Sequence, residues 1–320
     1  MLKDEILAAL IDHQSWLNGN ELASQLGVTR AGVSKAIQQL KASGYQIAVD
    51  HAKGYRFVGT RHLSQQLIQR QMGSSDMWKL EVWDEVTSTQ DRAKEIIANE
   101  SDDRFIAVIA NQQTAGHGRL GRKFYSPAQT GLYFSVVIPH QPIEQITKAG
   151  LLTTSVAVVI SEELERLIPG LRLQVKWVND LYLGQQKIAG ILTEAVLDVD
   201  NPQWGSIIVG IGINLSTTKF PAELHDQVAS LQVVDFDRNQ FLANFLNRFS
   251  NLNATYSSGC YLPAYRQRQL LIGRQVTLVC GSEQVTGLVD GIDDQGALVL
   301  KVADQKLRSF DSGEVTKVKW

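Results

Sequence analysis

The sequence predicts an α+β protein built from several domains. Its 320 residues exceed the length of about 250 to 300 residues at which single hydrophobic cores stop growing. From about Trp78, short β-type runs are mixed with helical patterns, without the regular alternation of a doubly wound sheet. With 44% hydrophobic and 20% charged residues, the composition is typical of globular chains. We therefore expect a mixed sheet in a central domain that spans residues 78–270.

The first sixty residues predict a helix-turn-helix followed by a β-hairpin. A helical pattern over residues 21–26 ends at Gly27, which can adopt the positive φ of a tight turn. Thr29 can cap a second helix, on which apolar residues recur at helical spacing. Two β-type runs, residues 45–49 and 55–58, then flank a polar turn. Residues 1–62 are thus predicted to form a winged helix-turn-helix domain.

Basic side chains are concentrated in this domain. Residues 30–61 hold six Lys or Arg against one acid, although the formal net charge of the whole chain is only −2. A local positive surface favours contacts with DNA phosphates. A protein-contact module without a DNA role is the alternative. The candidate DNA-binding residues are Arg30, Ser34, Lys35, Gln38 and Lys53.

The central pattern predicts buried helices and no membrane span. Phe241, Phe245 and Phe249 recur at helical spacing and predict a core helix over residues 239–256. The apolar stretch 149–160 is too short to cross a bilayer. Residues 61–75 are polar and glutamine-rich, and they are predicted to be helical or a linker with a domain boundary inside them, so the linker is set at residues 63–77. Two cysteines without metal-ligand spacing favour a reducing, cytoplasmic compartment and no metal site.

A loop rich in glycine and basic residues is the most informative segment. Residues 111–123 read NQQTAGHGRLGRK and follow a predicted strand that ends at Ala110. Glycines let the backbone approach an anion, and arginine forks bind carboxylate and phosphate oxygens. No acid occurs between Asp103 and Glu144. The segment therefore predicts a strand-to-helix connection that binds a polyanion, and a flexible surface loop is the alternative.

Four motifs in a fixed order extend this prediction. GHGRLGR at residues 116–122 is followed by KWVND at 176–180, KIAGIL at 187–192 and GIGIN at 210–214. These motifs closely resemble those of biotin protein ligases. Together with the winged helix, they resemble the bifunctional ligases that also repress biotin genes. Residues 271–320 resemble the SH3-like β-barrel that closes these proteins.

The resemblance implies a two-step reaction and a second, regulatory role. Biotin and ATP with Mg²⁺ give biotinyl-5'-adenylate, and a lysine of the biotin carboxyl carrier protein of acetyl-CoA carboxylase then takes the biotin. A homodimer that forms on adenylate binding would bind operator DNA, and no membrane is involved. A lipoate-protein ligase and a repressor that binds biotin without catalysis are the alternatives.

The resemblance also assigns the site residues. The biotin contacts fall on Ser88, Thr89, Gln90, Gln113, His117, Gly118, Arg119 and Lys187. The nucleotide contacts fall on Arg119, Arg122, Lys123, Trp177, Asn179 and Asn214. The chemistry falls on Lys187, Arg119, Arg122 and Asp180. The cations would neutralise charge as a carboxylate attacks a phosphate, and Asp180 would orient or deprotonate the incoming lysine.

Some of these residues have a second interpretation or depart from the family pattern. Ser88 is also a good helix N-cap, and Trp177 could equally be a core residue. His117 stands where the family usually has arginine, Val178 where it has proline and Gln90 where it has asparagine. None of these departures removes Lys187, Arg119 or Asp180.

Overall fold

The computed structural model describes residues 2–13, 15–73, 76–100 and 102–319. Within these residues the strands form a two-stranded, a seven-stranded and a five-stranded sheet. The predicted α+β architecture is therefore confirmed. Ser74 and Ser75 of the predicted linker lie outside the described residues. So do the first residue of the predicted N-terminal domain, Met1, and the last residue of the predicted C-terminal domain, Trp320.

The N-terminal domain has three helices and a hairpin. Thr29 caps the third helix, since its hydroxyl oxygen accepts a hydrogen bond from the Gly32 N–H at 3.1 Å. Gly27 in the preceding turn has a φ of +64°. The apolar side chains of the three helices pack in a cluster of their own. The predicted winged helix-turn-helix is confirmed, with the elements α1 (Leu2–His13), α2 (Gly19–Gln25), α3 (Arg30–Ala42), β1 (Tyr45–Asp50) and β2 (Gly54–Thr60).

The central domain is a mixed sheet with helices packed against it. Its helices are α4 (Gln65–Met72), α5 (Thr89–Asn99), α6 (Ile143–Ile146), α7 (Ala149–Leu167), α8 (Arg238–Thr255) and α9 (Leu262–Arg268). Its strands are β3 (Trp78–Val86), β4 (Phe105–Gln113), β5 (Gly131–Pro142), β6 (Gln174–Lys176), β7 (Asp180–Leu183), β8 (Gln186–Leu197) and β9 (Trp204–Asn214). They are ordered β3-β4-β5-β9-β8-β7-β6, and only β3 and β4 pair in parallel among the described strands.

The central domain confirms one prediction and corrects another. Phe241, Phe245 and Phe249 on α8 are fully buried, as their spacing predicts. The glutamine-rich stretch contains α4, as its helical alternative has it, and Ile68 and Met72 of this helix are buried in the central core. The loop after β4 leads into β5 and not into a helix, so the predicted strand-to-helix connection is wrong.

The C-terminal part is an antiparallel sheet, as predicted. Its strands are β10 (Gln275–Cys280), β11 (Glu283–Ile292), β12 (Leu298–Lys301), β13 (Leu307–Phe310) and β14 (Glu314–Val318), in the order β13-β12-β11-β10-β14. Apolar side chains of this sheet join the central core. None of the helices within the described ranges, including the 19-residue α7, is apolar enough over a sufficient length to cross a membrane.

Candidate functional site

Glycines on β9 leave room for side chains directly against one face of the central sheet. A Cβ at Gly212 would lie 2.5 Å from the ring of Phe124. A Cβ at Gly210, on the same face, would lie 2.5 Å from Oε1 of Gln90. Only glycine allows such close contact between a strand backbone and covering groups. We call Gly210 and Gly212 the glycine floor. Because a ring such as that of Phe124 can lie directly on it, this surface suits a flat, apolar ligand group.

A buried polar network borders the floor at the start of α5. The Ser88 hydroxyl accepts hydrogen bonds from two N–H groups of the first turn, which confirms the predicted cap. The Thr89 N–H and hydroxyl donate to Oε1 of Gln113 at 2.9 and 3.2 Å. The Gln113 Nε2 donates to the Ser126 hydroxyl at 2.8 Å. Residues that are distant in the sequence thus form one site edge.

Gln90 continues this network across the sheet. The Ser135 hydroxyl donates to Oε1 of Gln90 at 3.0 Å, and Nε2 of Gln90 donates to Glu194 at 2.8 Å. Burial acts to raise the pKa of Glu194, but hydrogen bonds from Lys94 and Gln90 outweigh it and leave the pKa below its usual value. The Gln90 amide therefore has a fixed orientation beside an ionised carboxylate.

Lys187 and Asp180 meet across a third glycine of this face. Nζ of Lys187 lies 2.7 Å from Oδ1 of Asp180. Gly190 is opposite both Asp180 on β7 and Gly212 on β9. A Cβ at Gly190 would lie 3.0 Å from the Lys187 Nζ, so the ammonium rests on bare backbone. Two of the predicted catalytic residues are brought together beside the glycine floor.

Further charges surround this pair. Burial lowers the pKa of Lys176, and the charges of Asp180, Lys187, Glu314 and Arg122 act on the same ammonium. The Arg122 guanidinium forms an ion pair with Glu314 at the start of β14. The loop thereby reaches the C-terminal sheet. We call Lys176, Lys187, Arg122, Asp180 and Glu314 the charge cluster.

The glycine-rich loop folds back on itself above the site. The Gly118 N–H donates to the Arg122 carbonyl at 2.7 Å, and the Phe124 N–H donates to the Gly116 carbonyl at 2.8 Å. Among the described residues, no side chain pairs with the Arg119 guanidinium. A cation in a loop, without an acid to neutralise it, suits an anionic ligand.

His117 and Lys123 lie on either side of this turn. They form an isolated antiparallel bridge with each other, and Lys123 is exposed. Nε2 of His117 lies 3.7 Å from Oδ1 of Asp91 on α5. The histidine therefore faces the helix whose first turn contributes to the polar network.

Three predicted nucleotide contacts are engaged within the fold. Trp177 is 4% exposed, and its Nε1 donates to the Gly296 carbonyl at 3.0 Å, which supports the core interpretation. Nδ2 of Asn179 donates to a β8 carbonyl at 2.6 Å. Nδ2 of Asn214 donates to the Ala229 carbonyl at 3.1 Å, whereas its buried Oδ1 has no partner among the described residues.

The sequence did not single out several residues that the structure brings to this site. They are Phe124, Ser126, Ser135, Gly190, Glu194 and Glu314. Their contacts join segments that are distant in the sequence, so no local pattern indicates them. In the described part of the chain, no group of three or more side chains could bind a metal ion.

The candidate DNA-binding residues lie on α3 and on the turn of the wing. Arg30, Lys35 and Gln38 are exposed on α3, and Ser34 is half-buried between them. Lys53 is exposed at the tip of the wing, where its N–H donates to the Asp50 carboxylate at 2.9 Å.

Models of three known families match successive parts of the chain. The biotin/lipoate A/B protein ligase family matches residues 82–214. The biotin protein ligase C terminal domain matches residues 271–318, and a helix-turn-helix domain matches residues 3–56. The matches follow the order of the three sheets.

Relatives are similar over nearly the full length. The bifunctional ligase/repressor BirA of Salmonella typhimurium is 30% identical over 97% of this chain and 96% of its own length. BirA of Escherichia coli is 30% identical over 97% and 95% of the two chains. A biotin protein ligase from Aquifex aeolicus, solved with biotin and ATP, is 30% identical with a TM-score of 0.63, over 75% of this chain and 98% of that one.

Proposed function

The chain belongs to the biotin/lipoate A/B protein ligase family, and on this premise we propose that it is a bifunctional biotin ligase and repressor. It converts biotin and ATP to biotinyl-5'-adenylate and transfers the biotin to a lysine of a biotin carboxyl carrier protein. The pairing of Lys187 with Asp180 across Gly190, inside the charge cluster, carries the proposal.

In the first step the biotin carboxylate attacks the α-phosphorus of ATP and pyrophosphate leaves. Both reactants are anions, so preorganised cations lower the barrier most where charge develops. We propose that Lys187 contacts the biotin carboxylate and the α-phosphate where they react. Arg119, Arg122 and Lys123 of the loop bind the phosphates. Lys176 adds a cation on the same side, as its interaction with Lys187 and Arg122 supports.

The ring end of biotin, opposite its carboxylate, is proposed to bind to the glycine floor and the polar network. Gly210 and Gly212 suit a flat apolar group, and Ser88, Thr89 and Gln113 offer donors and acceptors at its edge. His117 and Gly118 cover this end from the loop, and Gln90 completes the list of proposed contacts. Asn179 and Asn214 are retained only as neighbours of the nucleotide, since their amide groups have internal partners.

In the second step the carrier lysine attacks the carbonyl carbon of the mixed anhydride, and AMP leaves with the electron pair of the broken C–O bond. The attacking amine must lose a proton. Asp180 is the proposed acceptor, because general-base work requires a carboxylate within hydrogen-bond reach of the amine. Lys187 then neutralises the charge on the departing phosphate.

The remaining parts of the proposal concern Mg²⁺, location and domain limits. Mg²⁺ is treated as part of the ATP substrate, since it commonly binds phosphate oxygens and water with few protein ligands. A cytoplasmic location fits the use of ATP and the two free cysteines. We divide the chain into residues 1–62, a connection over 63–77, and domains over 78–270 and 271–320.

An open strand edge supports the proposed homodimer. Residues 192–197 of β8 pair with β9 on one side and with none of the described strands on the other. An unpaired edge is a template for another strand, and a twofold axis would join two copies of it. A dimer would bring two winged helices to two operator half-sites.

The direct test is incubation with biotin, ATP-Mg and a carrier domain, scored by the mass of the carrier. We expect one biotinyl group per carrier domain with biotin and none with lipoate. A lipoyl adduct would move the chain to the lipoate class. Biotin binding without an adduct or pyrophosphate release would leave a sensing repressor.

Gly212→Val is expected to impair biotin binding. The added side chain would collide with Phe124, and overpacking of this kind costs about 1 to 3 kcal/mol, which corresponds to a roughly 5- to 150-fold rise in the KM for biotin. The KM for ATP should change less, because the charge cluster is untouched. Gly291→Val is the control, since a Cβ at Gly291 meets no atom within 4 Å. An unchanged KM for biotin in Gly212→Val would contradict the assignment of the floor.

Arg119→Gly is expected to release the adenylate. The variant keeps Lys187 and the glycine floor, so adenylate still forms, but the loop loses the unpaired cation that retains the phosphate and excludes water. Released adenylate should biotinylate exposed lysines of a bystander protein such as serum albumin. The measurement is bystander labelling with the wild-type chain as the control. Equal labelling by both proteins would remove the retention role.

A further inference from the structure

Arg238 is a buried arginine whose hydrogen bonds reach three separate segments. Its side chain lies at the start of α8, and the residue is 5% exposed. NH1 donates to Oδ1 of Asn111 at 3.1 Å and to the Gly131 carbonyl at 3.2 Å, and NH2 donates to the Arg61 carbonyl. All three acceptors are uncharged. Burial lowers the pKa of Arg238, because the charged guanidinium has lost its contact with water. These hydrogen bonds replace those that water would provide.

Two of the acceptors lie at the two ends of the ligand loop, residues 114–130. Asn111 is near the end of β4, which leads into this loop, and Gly131 is the first residue of β5, which leaves it. Oδ1 of Asn111 also accepts a hydrogen bond from the Gln129 N–H at 3.2 Å. The guanidinium therefore binds both ends of the loop that carries Arg119 and Arg122.

The third acceptor belongs to the segment that leaves the DNA-binding domain. Arg61 directly follows β2, the second strand of the wing. The adjacent Asn239 fixes the same segment, since its Oδ1 accepts from the Ser64 N–H at 2.8 Å and its Nδ2 donates to the His62 carbonyl at 2.9 Å. Residues 61–64 are thus bound to the start of α8 through backbone groups.

We propose that Arg238 is a positioning residue that couples the ligand loop to the winged helix by holding both loop ends and the Arg61 carbonyl at one guanidinium. The inference rests on the proposed function, because the loop must close over an adenylate. A shift of the loop ends moves the acceptors of Arg238. The buried guanidinium follows them, since losing a charge-assisted hydrogen bond in a water-free site is costly. The wing exit follows the guanidinium.

The test compares DNA affinity with and without ligand. The probe is a duplex that the wild-type chain selects from a random pool in the presence of biotin and ATP. We expect wild-type affinity to rise on addition of biotin and ATP, and this gain to fall about five- to tenfold in Arg238→Lys. Lysine keeps the charge but has a single nitrogen, which cannot reproduce the contacts that Arg238 makes from two separate nitrogens, NH1 to Asn111 and Gly131 and NH2 to Arg61. Biotin-dependent pyrophosphate exchange should stay within about threefold, as a positioning role outside the reacting atoms requires.

Two more variants make the result decisive. Asn111→Ala removes one loop-end acceptor and leaves Arg238 in place, so it should also reduce the gain, and it decides the question if Arg238→Lys does not fold. Asp235→Asn is the control, because it breaks an exposed ion pair in the same region, in which NH2 of Arg61 lies 2.7 Å from Oδ1 of Asp235. This variant should leave the gain in DNA affinity unchanged. A wild-type gain in Arg238→Lys and Asn111→Ala would overturn the coupling. Absence of exchange in the wild-type chain would instead overturn the ligase.

Discussion

Lys187→Gln is expected to remove almost all adenylation activity while the protein stays folded. The ammonium of Lys187 pairs with Asp180 and is partly exposed, so its loss leaves no buried cavity. Glutamine has a similar length but no charge, and it cannot neutralise the junction between the biotin carboxylate and the α-phosphate. The loss of one preorganised electrostatic group costs about 10²- to 10³-fold in kcat.

The measurement is biotin-dependent pyrophosphate exchange at saturating biotin and ATP. Lys79→Gln is a matched control, because Lys79 pairs with Glu100 near the start of β3, away from the charge cluster. Lys187→Arg should retain part of the activity, since it preserves the charge. Wild-type exchange in Lys187→Gln would refute the role given to this lysine.

Asp180→Asn is expected to separate the two steps. Asparagine has nearly the same shape, so the adenylate should still form, but the amide cannot take a proton from the carrier lysine. Transfer should slow by about 10²- to 10⁴-fold, the usual contribution of a general base. The measurement is a single-turnover transfer from preformed adenylate to the carrier domain.

Hydroxylamine provides the internal control for this variant. It is a stronger nucleophile that is already uncharged near neutral pH, so it needs no carboxylate to remove a proton before attack. We expect Asp180→Asn to release biotinyl hydroxamate at the wild-type rate. Equal slowing with hydroxylamine and with the carrier would mean that Asp180 only supports the site geometry.

The local parts of the fold could be predicted because their signals lie within a few residues. Gly27 and Thr29 mark a turn and a cap, and the phenylalanines of α8 mark a buried face, all without tertiary information. The sequence of α4 leaves a helix and a linker as alternatives, because four of its eight residues are glutamine. Ile68 and Met72 are recognisable as core residues only once α8 lies beside this helix.

The site was predicted only in part for a similar reason. Lys187 and Asp180 belong to motifs, and the sheet brings them to 2.7 Å. Glu314 reaches Arg122 from another sheet, and Trp177 bonds to Gly296 at a sequence separation of 119 residues. No local pattern encodes contacts of this kind. The sequence alone therefore leaves both interpretations of Trp177 open, a core residue and a neighbour of the nucleotide.

The central claim is that the glycine floor and the charge cluster join biotin to ATP. The most direct measurement is the incorporation of labelled pyrophosphate into ATP by the purified wild-type chain, with biotin, with lipoate and with neither. The account predicts incorporation with biotin alone. Incorporation that is absent with biotin, or equal with biotin and lipoate, would contradict it.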